Sequence, residues 1–169
     1  MESNRLLIRR MEKGDEASFV SGIADRALRI AYGFPADMDG AVSVKIFEHF
    51  SGLEGSFSLI EKASGKMIGF LLEVEPELLE DLRAGLPGNG KTLAYAVFPP
   101  YQRKGYMLEA LRAVIPELFR NADAEYIHCG HFEENIPSRE LLRKLEFERY
   151  ASHPSRDRLI IDEILRRRT

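Results

Sequence analysis

Sulfur crosslinks are the first thing this chain lacks: one cysteine, Cys129, stands among 169 residues. No intrachain disulfide can form, and a reducing compartment is the natural setting. Long apolar runs are missing as well. Met67–Leu72, which contains Gly69, is typical of those present and far too short to cross a bilayer. The opening Met-Glu-Ser-Asn-Arg lacks the basic-then-apolar pattern of a signal peptide. A cytoplasmic protein with no membrane partner is therefore expected. Neither sign of charge dominates, and a net charge of −3 argues against nucleic acid as a partner. The basic Arg166-Arg167-Arg168 stretch reads as a solvated end. There is no internal repeat, low-complexity segment or Gly/Ser linker. With 44% hydrophobic and 30% charged residues, residues 1–169 are expected to form a single domain with a sizeable core.

What is present reads as a mixed α/β chain. Leu6-Leu7-Ile8 predicts a first strand, followed by a turn at Lys13-Gly14 and by Asp15 as a helix cap. Phe19, Ile23, Ala27 and Ile30 recur at helical spacing. A second helix is expected from about Asp39 to Phe50, with Val42, Ile46, Phe47 and Phe50 on its apolar side. Ser56–Glu61 and Met67–Val74 flank a tight turn at residues 63–66 and predict a hairpin. Residues 76–91 read as an insert, helical over Glu77–Ala84. A strand over Thr92–Phe98 ends at Pro99-Pro100. The next helix carries Met107, Leu111, Val114, Ile115 and Leu118 on one face, with a kink or early end expected at Pro116. Further strands at 126–130, 147–152 and 159–164, and a helix at 137–145, complete an α+β pattern with a largely antiparallel sheet.

One stretch carries chemistry. Val97 through Leu111 is a strand end running through a basic glycine turn, Gln102-Arg103-Lys104-Gly105, into an amphipathic helix that starts near Tyr106-Met107. Backbone N–H groups that open a helix have no partner inside it and carry partial positive charge. A turn approaching that end can wrap a phosphate. Gly105 permits the turn, and Arg103 and Lys104 add charge.

With these residues placed, the chain from about Arg5 onward resembles the GNAT superfamily of acyl-CoA-dependent N-acetyltransferases, with its mixed, mostly antiparallel twisted sheet flanked by helices. The branch it looks closest to includes the ribosomal-protein N-terminal acetyltransferases. Gln102–Met107 is similar to the family's Gln/Arg-x-x-Gly-x-Gly/Ala turn. Asn135-Ile136-Pro137-Ser138, with Leu141–Phe147, is similar to its Asn-x-x-Ser helix and Lys-Leu-Gly-Phe ending. The resemblance implies acetyl-CoA as cosubstrate and a primary amine as acceptor, a protein N-terminus or a small molecule. It implies that backbone N–H groups from Gln102 through Arg103, Lys104, Gly105 and Tyr106 to Met107 hold the pyrophosphate. Val97 and Phe98 would pair with the pantetheine, Asn135 would bond it, and Ser138 would lie near the thioester sulfur. A bland role for Asn135 and Ser138 is helix capping. The chain departs from the pattern at Met107 (usually small), Glu146 (commonly glycine) and Leu142 (often a tyrosine that protonates the thiolate).

The implied reaction is direct attack of a neutral amine on the thioester, with three tasks. Since Pro99 and Pro100 have no N–H, the Phe98 N–H is expected to stabilise the oxyanion. Thiolate protonation falls to Ser138 or a bound water. His131 is the first candidate base, followed by Glu73 and Glu75. No metal is expected, because strand alternation sets His128 on the face opposite Cys129 and His131. A catalytically degenerate CoA-binding domain, acting as sensor or scaffold, is the alternative.

A remote reading comes from Gly85–Thr92, which fits the phosphate-loop pattern G-x-x-x-x-G-K-[ST], with Leu159–Glu163 as an acidic strand. That loop needs a strand before it and a helix after it, and here the order is reversed. Loops near 30–40 and 76–90 are expected to select the acceptor. Asp37, Asp39, Glu77, Glu80 and Asp81 could attract a cation. Monomer and homodimer are both compatible, the closing hairpin offering an edge for pairing.

Overall fold

The computed structural model describes residues 1–75, 78 and 80–168, and of Glu80 and Asp81 the backbone alone. Among these, seven strands form a mostly antiparallel mixed sheet in the order β1-β2-β3-β4-β5-β7-β6. They are β1 Leu6–Arg10, β2 Ser56–Glu61, β3 Lys66–Val74, β4 Gly90–Val97, β5 Tyr126–Phe132, β6 Glu148–Ser155 and β7 Arg158–Arg166. Between them lie helices α1 Glu16–Gly22, α2 Arg26–Tyr32, α3 Gly40–Gly52, α4 Glu80–Arg83, α5 Tyr106–Asn121 and α6 Ile136–Lys144. The chain divides into two compact units: Met1–Glu73 with Tyr95–Ala113, and Val74–Ala94 with Val114–Thr169.

In the first unit, β1 and β2 pair antiparallel from Leu6 opposite Glu61 to Arg10 opposite Phe57, and β2 and β3 form the expected hairpin. Alternation points Leu6 and Ile8 inward, where both are buried. The helical run expected through Phe19 and Ile30 is broken: α1 stops at Gly22 and α2 starts at Arg26. Asp25 causes the restart, because its carboxylate accepts the Leu28 N–H at 2.7 Å and caps α2. The break rotates the apolar face, so Leu28 and Arg29 turn inward while Ala27 and Ile30 are exposed. Arg29 satisfies its buried guanidinium on the carbonyls of Ile23, at 2.6 Å, and Met38, at 2.8 Å. Val42 of α3 is likewise exposed, and Ser43 and Phe47 face inward in its place.

In the second unit, β4 and β5 run parallel over Gly90–Thr92 and Tyr126–His128, and β7 pairs with both β5 and β6 antiparallel. Tyr126 packs on Gly90, where a Cβ would overlap its ring, and joins Leu78 and Ile164 in a local core. Gly90, Lys91 and Thr92 thus open a strand, as the order of elements in the sequence implied and against the remote phosphate-loop reading: no helix follows, and that glycine makes room for an aromatic ring.

Two further expectations change. Helix α5 continues through Pro116 to Asn121. Pro116 and Arg112 are both exposed, so water can serve the carbonyl that proline leaves without a helix partner. Asp15 does not cap α1 with its side chain. Its carboxylate is a buried hub that binds both terminal guanidinium nitrogens of Arg9 at 2.8 Å, the Ser58 hydroxyl at 2.7 Å and the Glu12 N–H at 3.0 Å.

Burial pushes the Asp15 carboxyl up, but these donors, Arg9 foremost, outweigh it and hold it below the ordinary carboxylate range. A group lowered on folding contributes stability that is present above its unfolded value, about pH 4, and lost as pH falls through the folded value. Asp15→Asn should therefore lose about 2 kcal/mol at neutral pH and show a flatter acid limb in urea unfolding. An unchanged acid limb would contradict this assignment.

The end of α6 gives a second prediction. Glu146 sits at φ 63, and its N–H bonds Arg143 O at 3.2 Å while the Phe147 N–H bonds Leu142 O at 3.1 Å. This is a Schellman ending with a glutamate in glycine's left-handed place. Glu146→Gly should raise the unfolding free energy by about 1 kcal/mol. The ion pair to Arg168 that it removes is well exposed and contributes little. A loss of stability would count against the account.

Candidate active site

The basic turn lies in the first unit and is built from β4 onward. The Phe98 N–H donates to Ile68 O of β3 at 2.8 Å, and its ring is buried against Gly22. Phe98 therefore cannot offer that N–H to an oxyanion, which corrects the expectation for this residue. Ladder alternation sends the neighbouring Val97 N–H to the opposite edge of β4. Pro99–Tyr101 form a 3-10 turn. The Gln102 N–H then closes back on Pro99 O at 3.3 Å, and its side-chain amide donates to Val97 O at 2.9 Å. The run of open amides begins one residue later than expected, at Arg103.

Arg103 and Gly105 both adopt left-handed conformations, φ 61 and 79. Among the described residues, the N–H groups of Arg103, Lys104 and Gly105 have no acceptor, and the first bond of α5 is Glu109 N–H to Gly105 O at 3.1 Å. The amides of Tyr106, Met107 and Leu108 are thus the unpaired first turn of a helix. Consecutive open amides at a helix start, with Arg103 and Lys104 exposed beside them, form an anion cradle. Met107 and Tyr106 turn their side chains into the protein, 8% and 7% exposed, so the bulk of Met107 stays out of the cradle. A concavity of about 540 Å³ adjoins it, lined in part by Gly105, Leu108 and Arg112.

The second unit holds His131, Asn135 and Ser138. Asn135 caps α6, its Oδ1 accepting the Ser138 N–H at 3.2 Å, so the two residues expected to act together are adjacent. Leu142 is completely buried. His131 is also buried, with Nδ1 at 2.9 Å from Phe132 O and Nε2 at 2.9 Å from Glu163 Oε1. A carbonyl only accepts, so Nδ1 carries a proton, and the His131–Glu163 contact must hold one more between them. With both nitrogens committed, His131 has no lone pair for a substrate amine, and the expectation of a histidine base is corrected. Glu75, the later candidate, is exposed and held below the ordinary range by its hydrogen bond from Lys91. Of the acidic residues considered for attracting a cation, Asp39 caps α3 and Asp37 is exposed. Glu77 lies outside the described residues.

Sequence reasoning missed a neighbouring relay. Thr92 Oγ1 lies 2.9 Å from His128 Nδ1, His128 Nε2 lies 3.0 Å from Asp162, and Asp162's second oxygen lies 2.8 Å from His153 Nδ1. Burial pushes the Asp162 carboxyl up, but hydrogen bonds from the two histidines outweigh it and hold it low. The only available sequence signal was the Asp162-Glu163 pair inside an apolar strand, since buried carboxylates need partners. Thr92 and Lys91, the polar residues of the apparent phosphate loop, are thus bonded to His128 and Glu75.

Residues 5–148 match the Acetyltransferase (GNAT) domain family. The chain belongs to the GNAT acetyltransferase family. That family uses acetyl-CoA. No curated protein matches the sequence, but several solved structures share the fold. The GNAT acetyltransferase of Bacillus anthracis superposes with a TM-score of 0.82 at 17% identity, over 98% of this chain and 97% of that one. Spermidine N-acetyltransferase from Vibrio cholerae, solved with CoA and spermine, gives 0.75 at 13% identity, over 96% and 95%. Ribosomal-protein-S5-alanine acetyltransferase from Vibrio fischeri gives 0.72 at 16% identity, over 98% and 95%. At these identities the likeness is one of GNAT fold. Among the described residues, no helix is long and apolar enough to cross a membrane.

The His131–Glu163 pair of this GNAT domain makes a direct prediction. His131→Ala strands a buried carboxylate and should lose about 3 kcal/mol of stability. Glu163→Gln can still donate to Nε2 and should stay within about 1 kcal/mol of the parent. Equal losses in urea unfolding would contradict a shared proton.

Proposed function

We propose that this protein transfers an acetyl group from acetyl-CoA to a primary amine, with the cradle at Arg103–Leu108 binding the cosubstrate's pyrophosphate. The observation that carries this reading is the run of unpartnered amides opening α5 in a chain of this family. Arg103 and Lys104 would add charge from the rim. Val97, whose N–H faces away from β3, takes over the oxyanion role first assigned to Phe98. Asn135 would bond the pantetheine and Ser138, or a bound water, would protonate the thiolate. With His131 committed to Glu163, the carboxylates Glu73 and Glu75 are the candidate bases that follow it.

The structural neighbours named for spermidine and for the alanine of ribosomal protein S5 make a polyamine and an N-terminal alanine peptide the first acceptors to try. The buried Leu142, which cannot donate a proton, favours as a second reading a CoA-binding domain without turnover.

Thermal unfolding separates these readings from nucleotide binding. At about a hundred times its Kd, acetyl-CoA should add roughly 2.7 kcal/mol and raise the midpoint by several degrees, whereas Mg-ATP should not. A shift by Mg-ATP alone would overturn the proposal. Binding without acetylation of any amine tried would leave the second reading.

A further inference from the structure

An anion cradle is useful only if its amides stay aimed, and a left-handed arginine such as Arg103 does not hold that shape unaided. The residue that holds it lies far away in sequence. Arg5, immediately before β1, donates from Nε to Glu109 Oε2 at 2.7 Å, and its backbone N–H donates to Glu109 Oε1 at 2.7 Å. Its guanidinium also donates to Lys104 O at 3.0 Å and lies 4.3 Å from the centre of the Tyr106 ring. The Ser3 hydroxyl gives Glu109 a third bond at 2.6 Å, and the Tyr106 hydroxyl bonds Glu61 at the end of β2.

Two consequences follow from this geometry. In a trans peptide the carbonyl and the following N–H point in opposite directions. By gripping Lys104 O, Arg5 therefore turns the Gly105 N–H away from itself and keeps it open. The second consequence concerns charge. Glu109 stands in the first turn of α5, where its carboxylate would repel a bound phosphate, and Arg5 compensates it at contact distance.

We infer that Arg5 is a positioning residue for the acyl-CoA pyrophosphate, aiming the Gly105 amide and cancelling the charge of Glu109. This rests on the reading of the cradle as the pyrophosphate site. It assigns a role in cosubstrate affinity to an arginine that neither turn nor helix contains.

The test is calorimetric titration of the full chain with CoA. Arg5→Ala should weaken binding about tenfold, the scale of one charge-assisted hydrogen bond. Arg5→Lys, which keeps the charge but loses the fork, should fall between the two. Arg5→Ala combined with Glu109→Gln should bind CoA more tightly than Arg5→Ala alone, because the uncompensated carboxylate is gone. A purely structural role would give no such recovery, so its absence overturns the inference, as does equal affinity in the parent and Arg5→Ala. Should Arg5→Ala fail to fold, Arg5→Lys decides by the same comparison, and parental affinity there overturns the inference. If the parent itself binds no CoA, the cradle reading fails first.

Discussion

Helix α5 begins with amide groups that none of the described residues satisfies, and the surrounding arrangement keeps them that way. A helix start ordinarily recruits a side-chain cap. Here the preceding residues instead take left-handed turns at Arg103 and Gly105, which leaves successive N–H groups open. Gln102, the polar side chain nearest to capping them, is diverted to Val97 O. Open amides on a helix dipole are an unfinished hydrogen-bond shell, which an anion such as the proposed diphosphate can complete.

The remaining polar chemistry is directed inward. His128, Asp162, His131 and Glu163 are all nearly inaccessible, and their partners are one another, Thr92, His153 and a backbone carbonyl. No buried side-chain nitrogen or oxygen among the described residues lacks a hydrogen bond. Residues that resemble catalytic groups in a list thus act as internal struts. The proposed reaction then relies on backbone donors and cosubstrate placement more than on a side-chain acid or base. This is chemically adequate for thioester aminolysis, where orientation and oxyanion stabilisation supply much of the acceleration.

Local patterns carried much of the fold. The β2–β3 hairpin was legible because its turn residues and apolar arms are contiguous, and the buried face of α5 because five residues repeat at helical spacing. Where reading failed, a contact distant in sequence decided. Nothing near Phe98 indicates that its N–H is consumed by Ile68, and nothing near His131 indicates that Glu163 waits on another strand. The α1–α2 break was visible in principle, since Asp25 before Arg26 is a capping signal, but the apolar spacing on either side concealed it. Pro116 misled because its cost depends on exposure, which sequence does not report. At the candidate site, the cradle was legible and its support was not: Arg5 lies 104 residues from Glu109. The one clue was a carboxylate in the first turn of the helix proposed to bind an anion.

The central claim is that cosubstrate phosphate is held by the open amides at the start of α5. Titrating isotope-labelled protein with CoA and following backbone amide resonances tests it most directly. The account predicts that Arg103, Lys104 and Gly105 show the largest shifts and gain protection from exchange, while Gly88 through Lys91 are unaffected. Saturable binding that leaves the three amides unmoved would contradict it.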